Sequence, residues 1–167
     1  MAYSLPEGKV LIARWIKHHP DIKSVVDLGA GSGTYYKLLK NIRPDLFFTA
    51  VENWMPNIIE FKLEEKYDTL ILGDIRDMEF PDADCCIAGD ILEHLEKKDT
   101  IRVFKKLDKK YKYVIISMPL NMPGEEAFLG NPHERHLSMW TFNEICGLIG
   151  GKYKIQKKYQ KLGVFIK

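Results

Sequence analysis

The stretch that most constrains this chain is Val25-Val26-Asp27-Leu28-Gly29-Ala30-Gly31-Ser32-Gly33, where an apolar run ends in an acid and passes into alternating glycines. Val25, Val26 and Leu28, with little polar interruption, predict a buried parallel strand. The small residues that follow let backbone turn sharply against a ligand, and a helix is expected over residues 35–40. A strand, a glycine turn and a helix N-terminus together aim backbone N–H groups at one point. The dinucleotide fingerprint G-x-G-x-x-G requires a third glycine where Thr34 stands, so the pattern is D-x-G-x-G-x-G and a nicotinamide oxidoreductase is disfavoured. A tight turn with no ligand is the alternative reading of the loop taken alone.

Apolar strand-like runs alternate with amphipathic helical ones along the rest of the chain, which argues for an α/β fold with a parallel sheet. Further strands are expected at 46–51, 70–72, 84–88 and 113–118, and two more at 152–159 and 162–166 pair antiparallel because no crossover helix fits between them. Leu11, Ile12, Trp15 and Ile16 recur on one helical face before Pro20, and the opening helix they predict packs on the sheet edge or covers the ligand site. His18 and His19 close that helix, where cations suit its dipole. Thr141 and Glu144 have the spacing of a capping box that starts the last helix.

With 167 residues the chain is expected to form a single domain over 1–167. Its net charge of +2 is too small to argue for nucleic acid. Three cysteines, two of them adjacent at Cys85 and Cys86, make neither a disulfide framework nor a zinc spacing and read as core filling in a reducing compartment. No apolar run has membrane-spanning length, and Met1 to Pro6 carries no signal-peptide pattern. A cytoplasmic location without membrane attachment is expected.

Acids recur where strands end. Glu52 follows the second strand nineteen residues beyond Gly33, the distance at which dinucleotide-type α/β folds place an acid on ribose hydroxyls. Asp74 follows the third strand, where it is also a common turn former, and Asp90 follows the fourth.

The D-x-G-x-G-x-G pattern resembles motif I of the class I S-adenosylmethionine-dependent methyltransferases, and Asp90-Ile91-Leu92-Glu93-His94-Leu95 looks like the D-V-L-E-H-L block of many of their small-molecule members. Pro132-His133-Glu134-Arg135-His136-Leu137, with Trp140-Thr141 after it, resembles the stretch before the last helix of such members. The resemblance covers nearly the whole chain. It implies a Rossmann-like seven-stranded, mostly parallel sheet in the order 3-2-1-4-5-7-6, with helices on both faces in three α/β/α layers and an antiparallel C-terminal hairpin. It also implies S-adenosyl-L-methionine as cofactor, with Asp27, Gly29, Ala30, Gly31 and Gly33 along its methionine part and Glu52 on the ribose. Asn53 would also meet the cofactor, the aromatic or sulfur side chain of Trp54 or Met55 would cover the adenine, Asp74 would take the adenine amino group and Ile75 would pack on the base. Asp90 and Ile91 would stand near the methionine end.

Nucleic-acid amino methylation is lowered by the absence of an Asp/Asn-Pro-Pro-Tyr/Phe block at Gly89-Asp90-Ile91-Leu92. The expected activity is methyl transfer to an O- or N-nucleophile of a small molecule, which is favoured over a macromolecular acceptor without closing off the latter. A non-catalytic cofactor-binding module, or an enzyme that cleaves S-adenosylmethionine without an acceptor, is the alternative. The long 119–139 loop leaves the same sheet edge as the glycine loop and is expected to close over the acceptor. His136, then His133, with His94 also at the fourth strand tip, are the candidate bases, since an unperturbed histidine titrates near about pH 6.5. His133 and His136 have no third ligand at a convincing spacing, so no metal is expected. The basic terminal hairpin, with Tyr153, Lys154, Lys157, Lys158 and Lys161, reads as a solvated face. Oligomeric state is not legible.

Overall fold

A computed structural model describes residues 5–123 and 130–167, so the middle of the 119–139 loop and the first four residues lie outside the described residues. The runs rich in valine and isoleucine form one seven-stranded sheet, as β-branched side chains packed on both faces dictate. In chain order the strands are β1 (Ser24–Leu28), β2 (Phe47–Glu52), β3 (Thr69–Leu72), β4 (Cys85–Gly89), β5 (Tyr113–Pro119), β6 (Ile155–Lys158) and β7 (Leu162–Ile166). Their spatial order is β3-β2-β1-β4-β5-β7-β6, as the family resemblance implied. β1 through β5 are parallel, and β7 runs antiparallel between β5 and β6. Among the described residues no helix is long and apolar enough to cross a membrane.

Side-chain alternation splits the core in two. Val25 of β1, Phe48 and Ala50 of β2 and Ile87 of β4 face α1 (Lys9–Lys17), α2 (Thr34–Lys40), α3 (Met55–Glu60) and α4 (Leu63–Lys66), into which Ile12, Ile16 and Leu39 insert with no exposure. Val26 and Leu28 of β1, with Ala88 of β4 and Ile116 of β5, face α5 (Lys97–Lys110) and α6 (Phe142–Ile149) through Val103, Leu107 and Ile145. That is the three-layer α/β/α arrangement. Cys85 and Cys86 point to opposite faces and fill both cores as free thiols.

The opening helix covers the sheet rather than its edge. His18 and His19 each donate Nδ1–H to a carbonyl of its last turn, those of Arg14 and Trp15, at 2.7 Å, and the His19 ring stacks on Trp15. The penultimate strand is shorter than its expected 152–159, because Gly150–Lys152 extends the end of α6 as a 3₁₀ turn and Gly150 takes φ 59°. Tyr153 is consequently buried against the α5 face while Lys154, Lys157, Lys158 and Lys161 stay in solvent, which removes it from the solvated hairpin.

The capping box forms as its spacing predicts: Thr141 Oγ1 accepts the Glu144 N–H, and Glu144 Oε2 accepts the Thr141 N–H at 2.7 Å. Replacing Thr141 by alanine orphans a helix N–H at the junction between the long loop and α6. Urea unfolding of Thr141→Ala is expected to show a loss of about 1 kcal/mol, with an unchanged denaturant slope.

Candidate active site

The C-terminal ends of the five parallel strands share one edge, and an acid stands at four of them: Asp27 on β1, Glu52 on β2, Asp74 after β3 and Asp90 after β4. Gly29, Gly31 and Gly33 turn the chain from β1 into α2 at φ 68°, 50° and 76°, a region that residues with a Cβ rarely occupy. The Gly29 and Ala30 N–H groups both donate to the Val51 carbonyl of β2. Glu52 completes the turn: its Oε2 accepts the Gly31 N–H at 2.9 Å, and its Oε1 accepts those of Asn53 and Trp54. A carboxylate has about four acceptor positions, so one remains for a ligand.

Two hollows open on this edge and share Gly29, Asn53, Ile91, His94 and His133 as walls. The first extends to Asp74, Ile75 and Arg76; the second extends to Ala30, Gly31, Glu52 and Asp90. Nine of the expected cofactor residues therefore line one hollow or the other. Asp27, Gly33, Trp54 and Met55 do not: Gly33 caps α2, and Asp27 is buried behind the loop, accepting the Tyr67 hydroxyl at 2.6 Å. Trp54 meets the ring of His133 edge-on at 5.7 Å, so the loop after β2 and the loop before α6 close on each other across the site.

Asp74 is less available than its position suggests. Arg76, two residues on, grips both its oxygens through Nε and Nη2, and this holds the carboxyl below the usual carboxylate range. Asp90 sits at φ 54°, an uncommon backbone region for a residue with a side chain. It is fixed there by the Leu5 N–H at 2.8 Å and the Ser117 hydroxyl at 3.0 Å. Behind Ser117 a directed chain continues. Lys9 Nζ donates to the Tyr35 hydroxyl, and Tyr35 lies 2.7 Å from Ser117, whose own proton goes to Asp90. Burial lowers Lys9 to about 8, against the pull of Asp90 and Asp27. Gly89 is required beside this chain, because a Cβ there would lie 2.0 Å from Cε2 of Tyr35.

The three histidines separate. His133 is exposed and belongs to the wall facing Trp54 and Asp74. His94 and His136 lie together, ring centroids 5.0 Å apart, although His136 lines neither hollow. His94 ends a 3₁₀ turn (Leu92–His94), and burial lowers it to about 4. That turn is pinned from both sides. Thr100 Oγ1 donates to the Leu92 carbonyl, and the Leu137 and Ser138 N–H groups donate to that of Glu93, which carries His136 across to His94. Sequence reasoning does not single out Glu93, although it sits inside the Asp90–Leu95 block. It is 2 % exposed, and burial, then the nearby charge of Asp90, pushes its carboxyl well up.

Burial also lifts Asp27 to about 7, outweighing the Tyr67 hydrogen bond and Lys9. A carboxyl raised in the folded chain contributes stability that is fully present below its ordinary value of 3.8 and is lost as pH rises through about 7. Asp27→Asn has no such proton to lose. Between pH 4 and 8 the stability of the parent is expected to fall relative to that of Asp27→Asn by on the order of 4 kcal/mol, measured by urea unfolding of both proteins at each pH.

Residues 26–112, more than half of the chain, match the family model described as a methyltransferase domain. Isoflavone-7-O-methyltransferase 9 of Medicago sativa is 26% identical in an alignment of 148 residues that covers 84% of this chain and 40% of that protein. The fold is shared with the mitomycin 7-O-methyltransferase MmcR, at TM-score 0.67 and 16% identity, over 95% of this chain and 53% of that one. It is shared also with the N-terminal domain of EvdMO1 with SAH bound, at TM-score 0.68 and 11% identity, over 98% and 80% respectively. The chain thus spans about half or less of the length of the two O-methyltransferases. By its matched span and its sheet order, this chain belongs to the methyltransferase domain family.

Proposed function

We propose that this chain transfers the methyl group of S-adenosylmethionine to a hydroxyl oxygen, or a comparable nitrogen, of a small acceptor in a cytoplasmic setting. The observation that carries the reading is the meeting, on one sheet edge, of the Glu52-braced glycine loop with the His94–His136 pair. Residues of the glycine loop and strand tips fit the cofactor in kind. Glu52 keeps an acceptor position for the ribose, Ile75 offers an apolar flank for the adenine, and Asp90 supplies negative charge for the sulfonium end. Leu137 and Met139, half-exposed on the loop before α6, offer an apolar surface to the acceptor.

The sulfonium is already a reactive donor, so most of the rate comes from holding the acceptor oxygen in line with the methyl carbon and excluding water. The oxygen attacks that carbon, the carbon–sulfur bond breaks with its electron pair left on sulfur, and the acceptor loses its proton. His94 walls both hollows and His136 lies against it, and to this pair we assign the departing proton, whereas His133 serves as cover over the cofactor. Each of the pair donates Nδ1–H to a backbone carbonyl, that of Met122 for His136 and Arg135 for His94. Nε2 of each is then left with a lone pair. The isoflavone and mitomycin relatives, named for O-methylation, support the choice of oxygen.

Calorimetry with S-adenosylhomocysteine tests the cofactor half. Glu52→Gln keeps one carbonyl for the loop but loses the charge, and it is expected to bind about ten-fold more weakly or worse; unchanged affinity would refute the ribose role. A transfer screen against small phenols and alcohols tests the other half, and a chain that binds the cofactor but methylates nothing is a binding module. With an acceptor in hand, His136→Asn is expected to lower kcat by roughly 10²-fold or more with little change in cofactor affinity, and His133→Asn to affect cofactor binding more than kcat.

A further inference from the structure

Glu93, His94 and His136 each bring one ligand-capable atom into a cluster in which all three lie within 4.8 Å of one another. His94 Nε2 is 3.7 Å from Glu93 Oε1. Glu93 and His94 are adjacent in the chain, but nothing in the sequence joins His136 to them: it lies forty-two residues beyond His94 and is delivered by the Leu137 and Ser138 N–H bonds to the Glu93 carbonyl. We propose that this cluster is a divalent-cation site of the two-histidine, one-carboxylate type.

Glu93 Oε2 is fully buried and has no hydrogen-bond partner among the described residues. A buried carboxylate oxygen left unpaired is costly, and an ion at this point would satisfy it. The histidines carry the second mark. Metal-bound imidazoles are oriented by donating their other ring N–H to a carbonyl or carboxylate. Both do so here, His94 through Nδ1 to Arg135 and His136 through Nδ1 to Met122, each at 3.2 Å, so both present Nε2 as the ligand atom.

Ligand atoms around one ion, at about 2.0–2.2 Å from it, stand roughly 3–3.5 Å apart. The cluster reaches that spacing by side-chain rotations on the order of 1 Å, with the backbone turn already pinned. Two nitrogens and one oxygen suit Zn²⁺, Mn²⁺, Fe²⁺ or Co²⁺, and three protein ligands leave positions open. His94 and His136 are only partly buried, which leaves those positions access for water or an acceptor. Resting on the methyl-transfer reading, the ion activates the acceptor. The acceptor oxygen binds it, the acidified proton passes to water, and the oxygen's electron pair attacks the methyl carbon while the C–S pair stays on sulfur. The Nε2 lone pairs then act as ligands in the loaded protein.

The binding test is independent of activity. Chelator-stripped protein is titrated with ZnCl₂ and MnCl₂ by calorimetry and with CoCl₂ by visible absorption, beside a titration with S-adenosylhomocysteine. One ion per chain is expected, with Glu93→Gln and His136→Ala each binding at least about ten-fold more weakly and His133→Ala binding as the parent does. His136→Ala alters a partly exposed loop side chain and keeps the test decisive if Glu93→Gln misfolds by circular dichroism. An ion that binds Glu93→Gln and His136→Ala as tightly as the parent overturns the site. So does the absence of any ion binding in a protein that still binds S-adenosylhomocysteine, and that outcome leaves the methyltransferase reading standing. Ion binding at the cluster without cofactor binding does the reverse.

Discussion

One carboxylate holds the ligand-facing edge of this sheet in shape. Three glycines in left-handed conformations leave a loop whose N–H groups have no helix or strand to bond within. Buried orphans of that kind cost about 1–3 kcal/mol each. The neighbouring strand removes the problem, the Val51 carbonyl taking two of the N–H groups and the Glu52 side chain a third, while the same side chain also ties down the start of the next loop. The arrangement works only because β2 lies parallel to β1 in a register that sets Leu28 opposite Val51. Sheet topology and ligand loop are thus one constraint.

Charge on that edge is the second organising influence. Asp27, Glu52, Asp90 and Glu93 are all held there with little or no solvent around most of them, and the cation set among them, Lys9, comes from the opening helix. Burial raises Asp27 and Glu93 and lowers Lys9, each toward its neutral form. A region in that condition favours a cationic guest, and the sulfonium of the proposed cofactor is one.

Most strands were legible as short apolar runs bounded by turn formers, and Glu52, Asp74 and Asp90 were legible because an acid at or just past a strand's C-terminal end stands at the open edge. Thr141 and Glu144 announced α6 by a local rule that operates within four residues. What the sequence hid was of two kinds. Some of it is commitment between near neighbours: Asp74 and Arg76 are two apart, yet only the folded chain reveals that the arginine turns back on the acid instead of reaching into solvent. The rest depends on distant contacts. His136 and His94 carry no mutual signal in sequence, since the element that joins them is a pair of backbone N–H groups and a carbonyl, for which any residue types would do. Tyr153 was misjudged for a related reason: the Gly150 turn aims it inward, and alternation in the strand after it could not register that rotation.

The loop before α6 is closed at its root mainly by main-chain bonds. The Asn121 N–H donates to the Trp140 carbonyl, Leu137 and Ser138 bond the Glu93 carbonyl, and the Trp140 indole bonds the Ser138 hydroxyl. Most of these anchors make no demand on side-chain identity, so residues between positions 121 and 137 other than His133 and His136 can change while the ends of the segment stay seated. The residues proposed to hold the cofactor come mainly from the tips of β1 to β4, and the loop adds His133 to them. On the proposed reading, the fold is a fixed socket with a separately rooted cassette, in which a new acceptor preference is reached by changing residues of that segment around His133 and His136 and leaving the sheet untouched.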